Sequence, residues 1–596
     1  MSDYTAPLND IRLALKVAGG MEQLCDTGAF GELSMELADA VLEEAGKFAR
    51  DVVAPLNRVG DTQGVRLADD RVKMPDGFAE AYRQYVEGGW MGVACDPEQG
   101  GQGLPLLLAN AVDEMVISAC MAFALAPTLT HGAVEALQAH ATDEQKRIYL
   151  TRLISGEWTG TMNLTEPQAG SDVGALTSKA VPRGDGSYAI TGGKIFITYG
   201  EHEMSGNIVH LVLARLPDAP PGTRGISLFI VPKYLPDADG KPGKRNDLRC
   251  VGLEEKLGIH GSPTCVMAYG ENEGAIGFLL GKENRGMACM FTMMNNVRLN
   301  VGLEGVAIGE RAYQQALAYA QERRQGKPLG QQHADVPMVP IITHPDVRRM
   351  LLRMRALVQA ARGVCYANAA AIDLARKSPD DAARARAQAR ADLLTPIAKG
   401  WSTDIGVEVA SLGIQVHGGM GYIEETGAAQ HFRDARIAPI YEGTNGIQAM
   451  DLVSRKVPMQ GGAVIGDFIA EIRETAAACE NANRAELQTI GTELARATDA
   501  WEAATRWLLE RAADAPNDCL AGATPYLELS GLVSGGFFMA KNALAGAAGA
   551  TVQDEAAVAT ALFYARNILP GALGLVTPVT AGADALYALD ESQLAP

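Results

Sequence analysis

The sequence has few basic residues for its number of acidic ones. Its 596 residues include 52 Lys and Arg against 71 Asp and Glu, a net charge of −19 at pH 7. A protein that binds a nucleic-acid backbone needs basic surface to replace the counterions of the phosphates. The composition therefore argues against a nucleic-acid partner. It leaves room for a local basic pocket that holds a phosphorylated cofactor.

An export signal and a long apolar run are also lacking. The segment MSDYTAPLND carries acids where a signal peptide needs basic and apolar regions. The most apolar run, LLLANAVDEMVISACMAFALAP, is interrupted by Asp113 and Glu114, which argues against a helix that spans a bilayer. These features predict a cytoplasmic protein without a membrane span.

Cysteine is scarce and scattered. The nine cysteines, from Cys25 to Cys519, form no CxxC pair and have no histidine at the spacing of metal ligands. We expect reduced thiols and no metal site.

Four regions of different character follow one another along the chain. Residues 1–160 have apolar residues at helical spacing, as in LSMELADAVLEEAGKFARDVVAPLN, a pattern that stops near Pro55. Residues 161–285 contain short β-branched runs separated by Gly, Pro and Asp, which predict a β domain. Residues 286–455 return to long helical patterns. Residues 461–596 read as a further helical domain, rich in Ala, with seven basic and seventeen acidic residues. The predicted fold is mainly α, with a central β domain and a C-terminal helical extension.

The segment ARIAPIYEGTNGIQAMDLVSRKV carries the strongest candidate for catalysis. Glu442 is followed by Gly443 and then by Thr444 or Asn445, either of which is a suitable N-cap for the next helix. Burial raises the pKa of such a carboxylate and the helix dipole lowers it, which is the tuning that a general base needs. The alternative is a glutamate that merely complements the helix dipole.

Three further segments have both a functional and a structural interpretation. In MNLTEPQAGSDVGAL, the loop that ends in Ser171 offers backbone N–H groups to a phosphate or a polar ring, or is an ordinary Pro/Gly turn. In ERRQGKPLG, Arg323 and its basic neighbours form an anion site or cap a helix. In MFTMMNNVRLNVGLEGV, Arg298 needs an anionic partner, either a ligand phosphate or a nearby carboxylate.

A fourth segment, LGIQVHGGMGYI, contains Gly418, Gly419 and Gly421, which permit close approach of the backbone to a ligand. It is not a GxGxxG motif after a strand, so it does not predict a Rossmann fold. We interpret His417 in this segment as structural.

Taken together and in this order, the motifs resemble those of the acyl-CoA dehydrogenase family. TEPQAGSD, GGKIFITYG, the Arg298 segment, ERRQG, QVHGGMGY and IYEGTNGIQ match the family's motifs between about residues 35 and 455. The resemblance implies a helical domain, a β-barrel-like domain and a four-helix bundle, which agrees with the pattern of the regions.

The resemblance also implies roles for individual residues. Glu442 would remove the α-proton of a bound acyl-CoA, and FAD would accept the β-hydrogen as hydride. The residues implied to bind FAD are Met162, Leu164, Thr165, Ser171, Phe196, Thr198, Arg323, Gln415, Gly418, Gly419 and Thr444. The residues implied to bind the acyl-CoA are Ser171, Asn295, Arg298, Glu442 and Gly443.

Three positions depart from the commoner pattern of the family. Phe196 stands where many relatives have Trp, Gln325 replaces a frequent Thr, and Asn295 replaces a frequent Asp. The last two put contacts to the cofactor and to CoA in question, but not the chemistry.

The length of the chain and the segments APLNDIRLAL and EKLGIHGSPTC resemble a long bacterial subgroup of the family. This implies a short substrate such as 3-methylthiopropanoyl-CoA, with a medium- or long-chain fatty acyl-CoA as the alternative. It also implies electron-transfer flavoprotein as acceptor and a homodimer or dimer of dimers. Two other classes with this fold are an oxidase and a nucleic-acid binder, and the net charge of −10 over residues 461–596 argues against the latter.

Methionines near the expected site have two interpretations. Met293, Met294 and Met420 would suit an irregular apolar ligand because thioether side chains are adaptable. The preferred interpretation is that they are core residues.

Overall fold

The structure is a computed structural model that describes residues 4–31, 33–237, 239–332 and 335–595. The side chain of Asn295, which the sequence predicts to bind substrate, lies outside the described part.

Most of the described chain is helical. The α-helices are α1 Leu8–Val17, α2 Met21–Asp26, α3 Met35–Phe48, α4 Leu56–Gln63, α5 Phe78–Glu87, α6 Leu106–Ala119, α7 Met121–His140, α8 Asp143–Gln145, α9 Thr151–Ile154, α10 Gly286–Glu322, α11 Pro345–Lys377, α12 Asp381–His417, α13 Ala428–Ala435, α14 Asn445–Asp451, α15 Ala463–Glu480, α16 Ala485–Arg511, α17 Pro516–Ala521, α18 Ala523–Ala547, α19 Val552–Asn567, α20 Gly571–Thr580 and α21 Glu591–Leu594.

Strands are concentrated in the middle of the chain. They are β1 Arg66–Ala68, β2 Arg71–Lys73, β3 Trp158–Asn163, β4 Lys179–Pro182, β5 Tyr188–Thr198, β6 Asn207–Arg215, β7 Ile226–Pro232, β8 Tyr234–Pro236, β9 Pro242–Arg245, β10 Leu248–Leu253, β11 Thr264–Tyr269 and β12 Ala275–Leu280. The prediction of a mainly α protein with a central β region is confirmed.

The chain divides into two compact units. The helical unit comprises Met1–Glu44, Pro105–Glu114 and Val301–Pro596, and the β unit comprises Ala45–Leu104 and Met115–Asn300. The division into four domains at the boundaries given above remains a prediction.

One large sheet forms the centre of the β unit. Its strands run in the order β10-β11-β5-β12-β7-β6-β3, and β4 pairs with both β5 and β6. Strands β3 and β7 are buried along their whole length, and so is β6 up to Arg215, which explains why β6 and β7 carry mostly apolar residues on both faces and do not alternate. Helix α7 packs closely on β3, since a Cβ at Gly160 would lie 2.4 Å from the Cβ of Ala133.

The first 160 residues differ from the prediction in two places. The chain turns at Pro55 but resumes a helix, α4, at the next residue, because proline is tolerated at the start of a helix. Strands β1 and β2 form a hairpin in this region. Asp69 and Asp70 make its two-residue turn with positive φ angles of 49° and 62°, a conformation that aspartate adopts more readily than most residues.

The C-terminal extension shares a core with the bundle helices of the helical unit. Helix α18 packs on α11 and α12, and also on α16 and α19 of the extension itself. Two glycines of α18 leave room for the ring of Trp401 on α12. A Cβ at Gly531 would lie 2.1 Å from Trp401 Cγ and one at Gly535 would lie 2.6 Å from Cη2, so a larger residue at either position would clash with the ring. The extension is therefore an integral part of this unit.

A buried charge network joins α6, α10 and α11 in the helical unit. The Arg362 guanidinium donates to Glu114 at 2.8 Å and to Glu310 at 3.0 Å, and the Tyr366 hydroxyl donates to Glu114 at 2.8 Å. All four side chains are nearly or fully buried. Such a network specifies which helices pack together, since removal of one partner leaves a buried charge.

Within the residues described, no single helix is long and apolar enough to cross a membrane, whereas α19 and α20, bent by 43°, pass that test as a pair by length and composition. The same residues contain no group of three or more His, Cys, Asp or Glu placed to hold a metal ion.

Candidate active site

Glu442 lies in a tight turn between α13 and α14 of the helical unit. Both Glu442 and Gly443 have positive φ angles, 56° and 87°. This conformation is easy for Gly443 but strained for Glu442, because its Cβ approaches the backbone. Strain of this kind persists only where the surroundings impose it, and it is concentrated at functional sites.

The turn is fixed to α12 by Asn445. Thr444 caps α14 by accepting a hydrogen bond from the Ile447 N–H at 3.2 Å, which leaves the Asn445 side chain for other contacts. The Asn445 amide accepts from Lys399 Nζ at 2.9 Å and donates to Asp404 Oδ1 at 2.8 Å. Of the two caps that the sequence allows, the structure therefore selects Thr444.

Glu304 on α10 lies behind the turn. It is 1% exposed, and its Oε2 accepts a hydrogen bond from the Tyr441 hydroxyl, while its Oε1 is buried with no hydrogen-bond partner. Burial raises the pKa of Glu304 to about 8, against the lowering effects of the Tyr441 hydrogen bond and the Lys399 charge, and the Glu442 charge raises it further. Burial also raises the pKa of Asp404.

Glu304, Tyr441 and Lys399 are functional residues that the sequence motifs do not predict. The available signal was an acid in the otherwise apolar stretch VGLEGVAIG, which on a buried helix requires a polar partner. Nothing in the local sequence could indicate that the partner is the residue before Glu442.

In the β unit, the residues predicted to line the flavin lie at the end of β3 and in the loop after it. Met162 is buried, Leu164 and Thr165 are half-buried, and Ser171 is exposed. The Leu164 carbonyl accepts from Lys194 Nζ at 3.1 Å, and the Thr165 carbonyl accepts from a backbone N–H of β5 at 3.0 Å. The loop therefore starts from a fixed position.

Glu166 and Lys194 form a buried ion pair beneath this loop. Lys194 Nζ lies 2.8 Å from Glu166 Oε1, and the carboxylate also accepts from the hydroxyl and backbone N–H groups of Thr177 and Ser178 and from the Gln168 amide. Burial alone would raise the pKa of Glu166, but the charge of Lys194 and these hydrogen bonds lower it to about 2. Burial lowers the pKa of Lys194 to about 8, although Glu166 opposes the shift.

Phe196 occupies a bulge in β5. The register between β5 and β11 shifts opposite Cys265 and Met267, and Phe196 has a φ of 60°. Its ring is 58% exposed, while Thr198 further along the strand is half-buried. A bulge that turns a large aromatic ring outward is typical of a ligand contact and not of strand packing.

Arg323, Gln415, Gly418 and Gly419 are all exposed, and they lie at one end of the helical unit. The segment after Arg323 pairs with residues 338–341, as Ile341 N–H donates to the Arg323 carbonyl at 2.8 Å. The rings of Tyr319 on α10 and His417 on α12 are stacked with centroids 4.4 Å apart, which brings the ends of these two helices together.

His417 has the structural role that the sequence predicts. It is buried, its Nδ1 lies 2.7 Å from the Gly413 carbonyl oxygen, and burial lowers its pKa.

Met293 and Arg298 on α10 are buried, whereas Met294 is half-buried. Met293 is fully buried and packs against Gly132, where an added Cβ would lie 2.8 Å from its Cε. Its interpretation as a core residue is confirmed. Met420, in contrast, is 47% exposed. Arg298 is also buried, and its contact with CoA remains a prediction.

Four family models match the chain in order. They are described as acyl-CoA dehydrogenase N-terminal domain (residues 36–157), middle domain (161–270) and C-terminal domain (284–457), and as acetyl-CoA dehydrogenase C-terminal like (468–590). The chain belongs to the acyl-CoA dehydrogenase family and is thus an oxidoreductase, as the motifs predict. The implied family fold is confirmed with it.

Two curated relatives match over almost the whole chain. The 3-methylmercaptopropionyl-CoA dehydrogenase of Ruegeria pomeroyi is 48% identical over 95% of this chain and 96% of its own length. A butyryl-CoA dehydrogenase of Syntrophomonas wolfei is 35% identical over 96% of each chain. The first relative confirms the resemblance to the long bacterial subgroup.

Among solved structures, the acyl-CoA dehydrogenase of Bacillus anthracis complexed with FAD superposes with a TM-score of 0.74. It is 20% identical and the match covers 94% of this chain and 89% of that one, so this likeness concerns the fold.

Proposed function

We propose that this enzyme removes the α- and β-hydrogens of an acyl-CoA thioester with Glu442 as the base and FAD as the cofactor. The observation that carries the proposal is the turn of Glu442. The backbone of Glu442 has a strained left-handed conformation, and the Asn445 side chain fixes the turn to α12. A base that must meet one C–H bond needs a fixed position of this kind.

Proton abstraction next to a thioester needs more than a carboxylate. The α-proton is too weakly acidic for a carboxylate in water, so fixed donors must stabilise the developing enolate oxygen. The family resemblance assigns this role in part to the Glu442 N–H, whose direction is set by the same turn. A site closed to water would strengthen that interaction.

The residues of this chain fit FAD. Phe196 presents its exposed ring beside the loop of Leu164 and Thr165, which the Glu166–Lys194 pair holds in place. At Gly418 and Gly419 an added Cβ would meet nothing within 4 Å, which leaves room for a ligand against the backbone. When bound, FAD would accept the β-hydrogen as hydride. Arg323 would contribute a charge-assisted contact to its pyrophosphate.

We also propose a homodimer or dimer of dimers, in which two subunits complete each FAD site. The segment after Gly419 supports this, because Met420, Tyr422 and Ile423 are 47%, 85% and 45% exposed in the isolated chain. Adjacent exposed apolar side chains of this kind are typical of an interface. Electron-transfer flavoprotein as acceptor and a cytoplasmic location belong to the same proposal.

For the substrate we propose a short acyl-CoA, with 3-methylthiopropanoyl-CoA as the leading candidate. The 48% identity to a 3-methylmercaptopropionyl-CoA dehydrogenase supports it. A fatty acyl-CoA of medium or long chain is the alternative. Each buried methylene contributes about 0.8 kcal/mol, so a deep pocket would raise kcat/KM steadily with chain length.

The test is flavin bleaching by a panel of thioesters, followed by kcat/KM for methylthiopropanoyl-, butanoyl-, octanoyl- and palmitoyl-CoA. The proposal expects a maximum at one of the first two. A maximum at octanoyl-CoA or longer contradicts the short substrate, and an absence of bleaching by every thioester contradicts the function. Reoxidation by oxygen and by electron-transfer flavoprotein, compared in the same apparatus, distinguishes a dehydrogenase from an oxidase.

A further inference from the structure

Glu304 is a buried acid with too few partners for a charged group. It is 1% exposed, its Oε2 accepts a hydrogen bond from the Tyr441 hydroxyl, and its Oε1 has no hydrogen-bond partner. A buried carboxylate is stable as an ion only when it is paired and hydrogen-bonded. The geometry of Glu304 thus favours its neutral form.

The titratable groups around Glu304 act in both directions, since Tyr441 and Lys399 favour its ion whereas Glu442 disfavours it. They are Tyr441 and Glu442 from the turn and Lys399 from α12. Lys399 donates to Asn445 at 2.9 Å, and so it contributes to the position of the turn. Glu442 adds a negative charge, which disfavours a second one nearby.

We propose that Glu304 is a positioning residue for the base: as a neutral acid it accepts the Tyr441 hydroxyl and fixes the turn that carries Glu442. The inference rests on the proposed function of Glu442. It adds a residue on a different helix and assigns its protonation state. Burial and the charge of Glu442 keep the pKa of Glu304 near 8, so the acid stays largely neutral at pH 7.

The first test compares replacements at position 304 by rapid-mixing measurement of flavin reduction at pH 7. Glu304→Gln keeps a neutral acceptor for Tyr441, so its rate of flavin reduction should remain within about threefold of the wild type. A threefold change is smaller than the change expected from the loss of one hydrogen bond. Glu304→Ala removes the acceptor and leaves a cavity behind the turn. Its rate should fall at least about tenfold, the equivalent of 1.4 kcal/mol in the barrier. Glu474→Gln, at an exposed acid of the same unit, is the control.

The second test uses the pH profile from 6 to 10. Ionised Glu304 beside Glu442 would make the base stronger. The ratio of the wild-type rate to the Glu304→Gln rate should therefore be constant at low pH and rise with a midpoint near 8. A ratio that stays flat to pH 10 overturns the proposal.

A third test reads the proton directly in the substrate-free protein. The infrared difference between wild type and Glu304→Gln at pH 7 should contain the C=O band of a protonated carboxyl group, which disappears by pH 10. Tyr441→Phe removes the donor that favours the ion, so it should move this titration to higher pH. If the variants at position 304 do not fold, the infrared difference between wild type and Tyr441→Phe still shows whether the carboxyl titration moves to higher pH.

The outcomes separate this inference from the proposed function. If Glu442→Gln still reduces its flavin at the wild-type rate, the proposed function fails. If Glu442→Gln is inactive but the infrared band is absent, only the role of Glu304 fails.

Discussion

Two buried glutamates, Glu166 in the β unit and Glu304 in the helical unit, have opposite chemistry. Both are at most 2% exposed. Glu166 has Lys194 and several N–H and O–H donors around it, and its pKa falls to about 2. Glu304 accepts a hydrogen bond from the Tyr441 hydroxyl, and its pKa rises to about 8.

The difference shows that burial alone does not decide the charge of an acid, whereas the counter-charge and the hydrogen-bond donors around it do. Glu166 is a structural ion that holds a loop on its strand. Glu304 remains poorly satisfied, and incomplete satisfaction of this kind is more usual beside a reacting group than in a structural core.

The largest expected effect comes from the same substitution at both positions. Glu166→Gln leaves Lys194 buried without its counter-charge and should lower the free energy of unfolding by about 3–5 kcal/mol. Glu304→Gln replaces a neutral acid by a neutral amide and should change it by less than about 1 kcal/mol at pH 4, where the acid is largely neutral in both the folded and the unfolded chain. Urea unfolding of both variants checks this. Equal losses would mean that both acids are ionised.

The second prediction contrasts an exposed cation with the buried one. Arg323→Ala should weaken FAD binding by about 1.5–3 kcal/mol, the value of a hydrogen bond to a charged group, and should leave the unfolding of the apoprotein unchanged. Lys194→Met should destabilise the protein itself. Flavin content after dialysis measures the first effect. If Arg323→Ala retains its full flavin content after dialysis, Arg323 does not bind FAD and serves only as a helix cap.

The third prediction compares these charges with close packing in the extension. Gly531→Ala would drive a methyl group into Trp401 and should lower the free energy of unfolding by about 1–3 kcal/mol. Gly466→Ala on α15 meets nothing within 4 Å and should instead raise it by about 0.5–1 kcal/mol, as alanine favours a helix. Thermal unfolding of the pair checks whether the extension belongs to the core.

The last prediction concerns the pH dependence of stability, which is small for the histidines near neutral pH and has opposite signs in the two units. Burial lowers the pKa of His202 and His210 in the β unit to about 3. The unfolded chain takes up these protons first as the pH falls below 6.5, so stability falls with acid, by about 0.4 kcal/mol per histidine at pH 6.5 itself. Glu304 acts in the other direction: the unfolded chain loses its proton above about pH 4.5 and the folded one only near 8, so stability falls as the pH rises between these values.

Replacement of each group separates these contributions. Glu304→Gln should flatten the loss of stability between pH 5 and 8, and His210→Gln should reduce the loss below pH 6.5. Unchanged slopes in both variants would show that neither group has a shifted pKa in the folded protein.

Local patterns in the sequence were sufficient for the α and β regions, since long helices such as α10 to α12 repeat their apolar residues at helical spacing. The hairpin β1–β2 was missed because its turn consists of two aspartates and lacks the usual glycine. The turn of Glu442 was expected from Gly443, but the left-handed conformation of Glu442 itself was not. That conformation depends on Asn445 and α12, some forty residues apart in the chain. Contacts at such separation, like that of Glu304 with Tyr441, leave no local signal.

The most direct test of Glu442 as the base is flavin reduction by Glu442→Gln, mixed rapidly with methylthiopropanoyl-CoA or butanoyl-CoA in the absence of oxygen. The substitution is nearly isosteric, so the variant should fold and retain FAD. Its rate of flavin reduction should be lower than that of the wild type by about 100- to 10,000-fold, the usual effect of the loss of a positioned base. Flavin reduction at the wild-type rate in Glu442→Gln would contradict the assignment of Glu442 as the base.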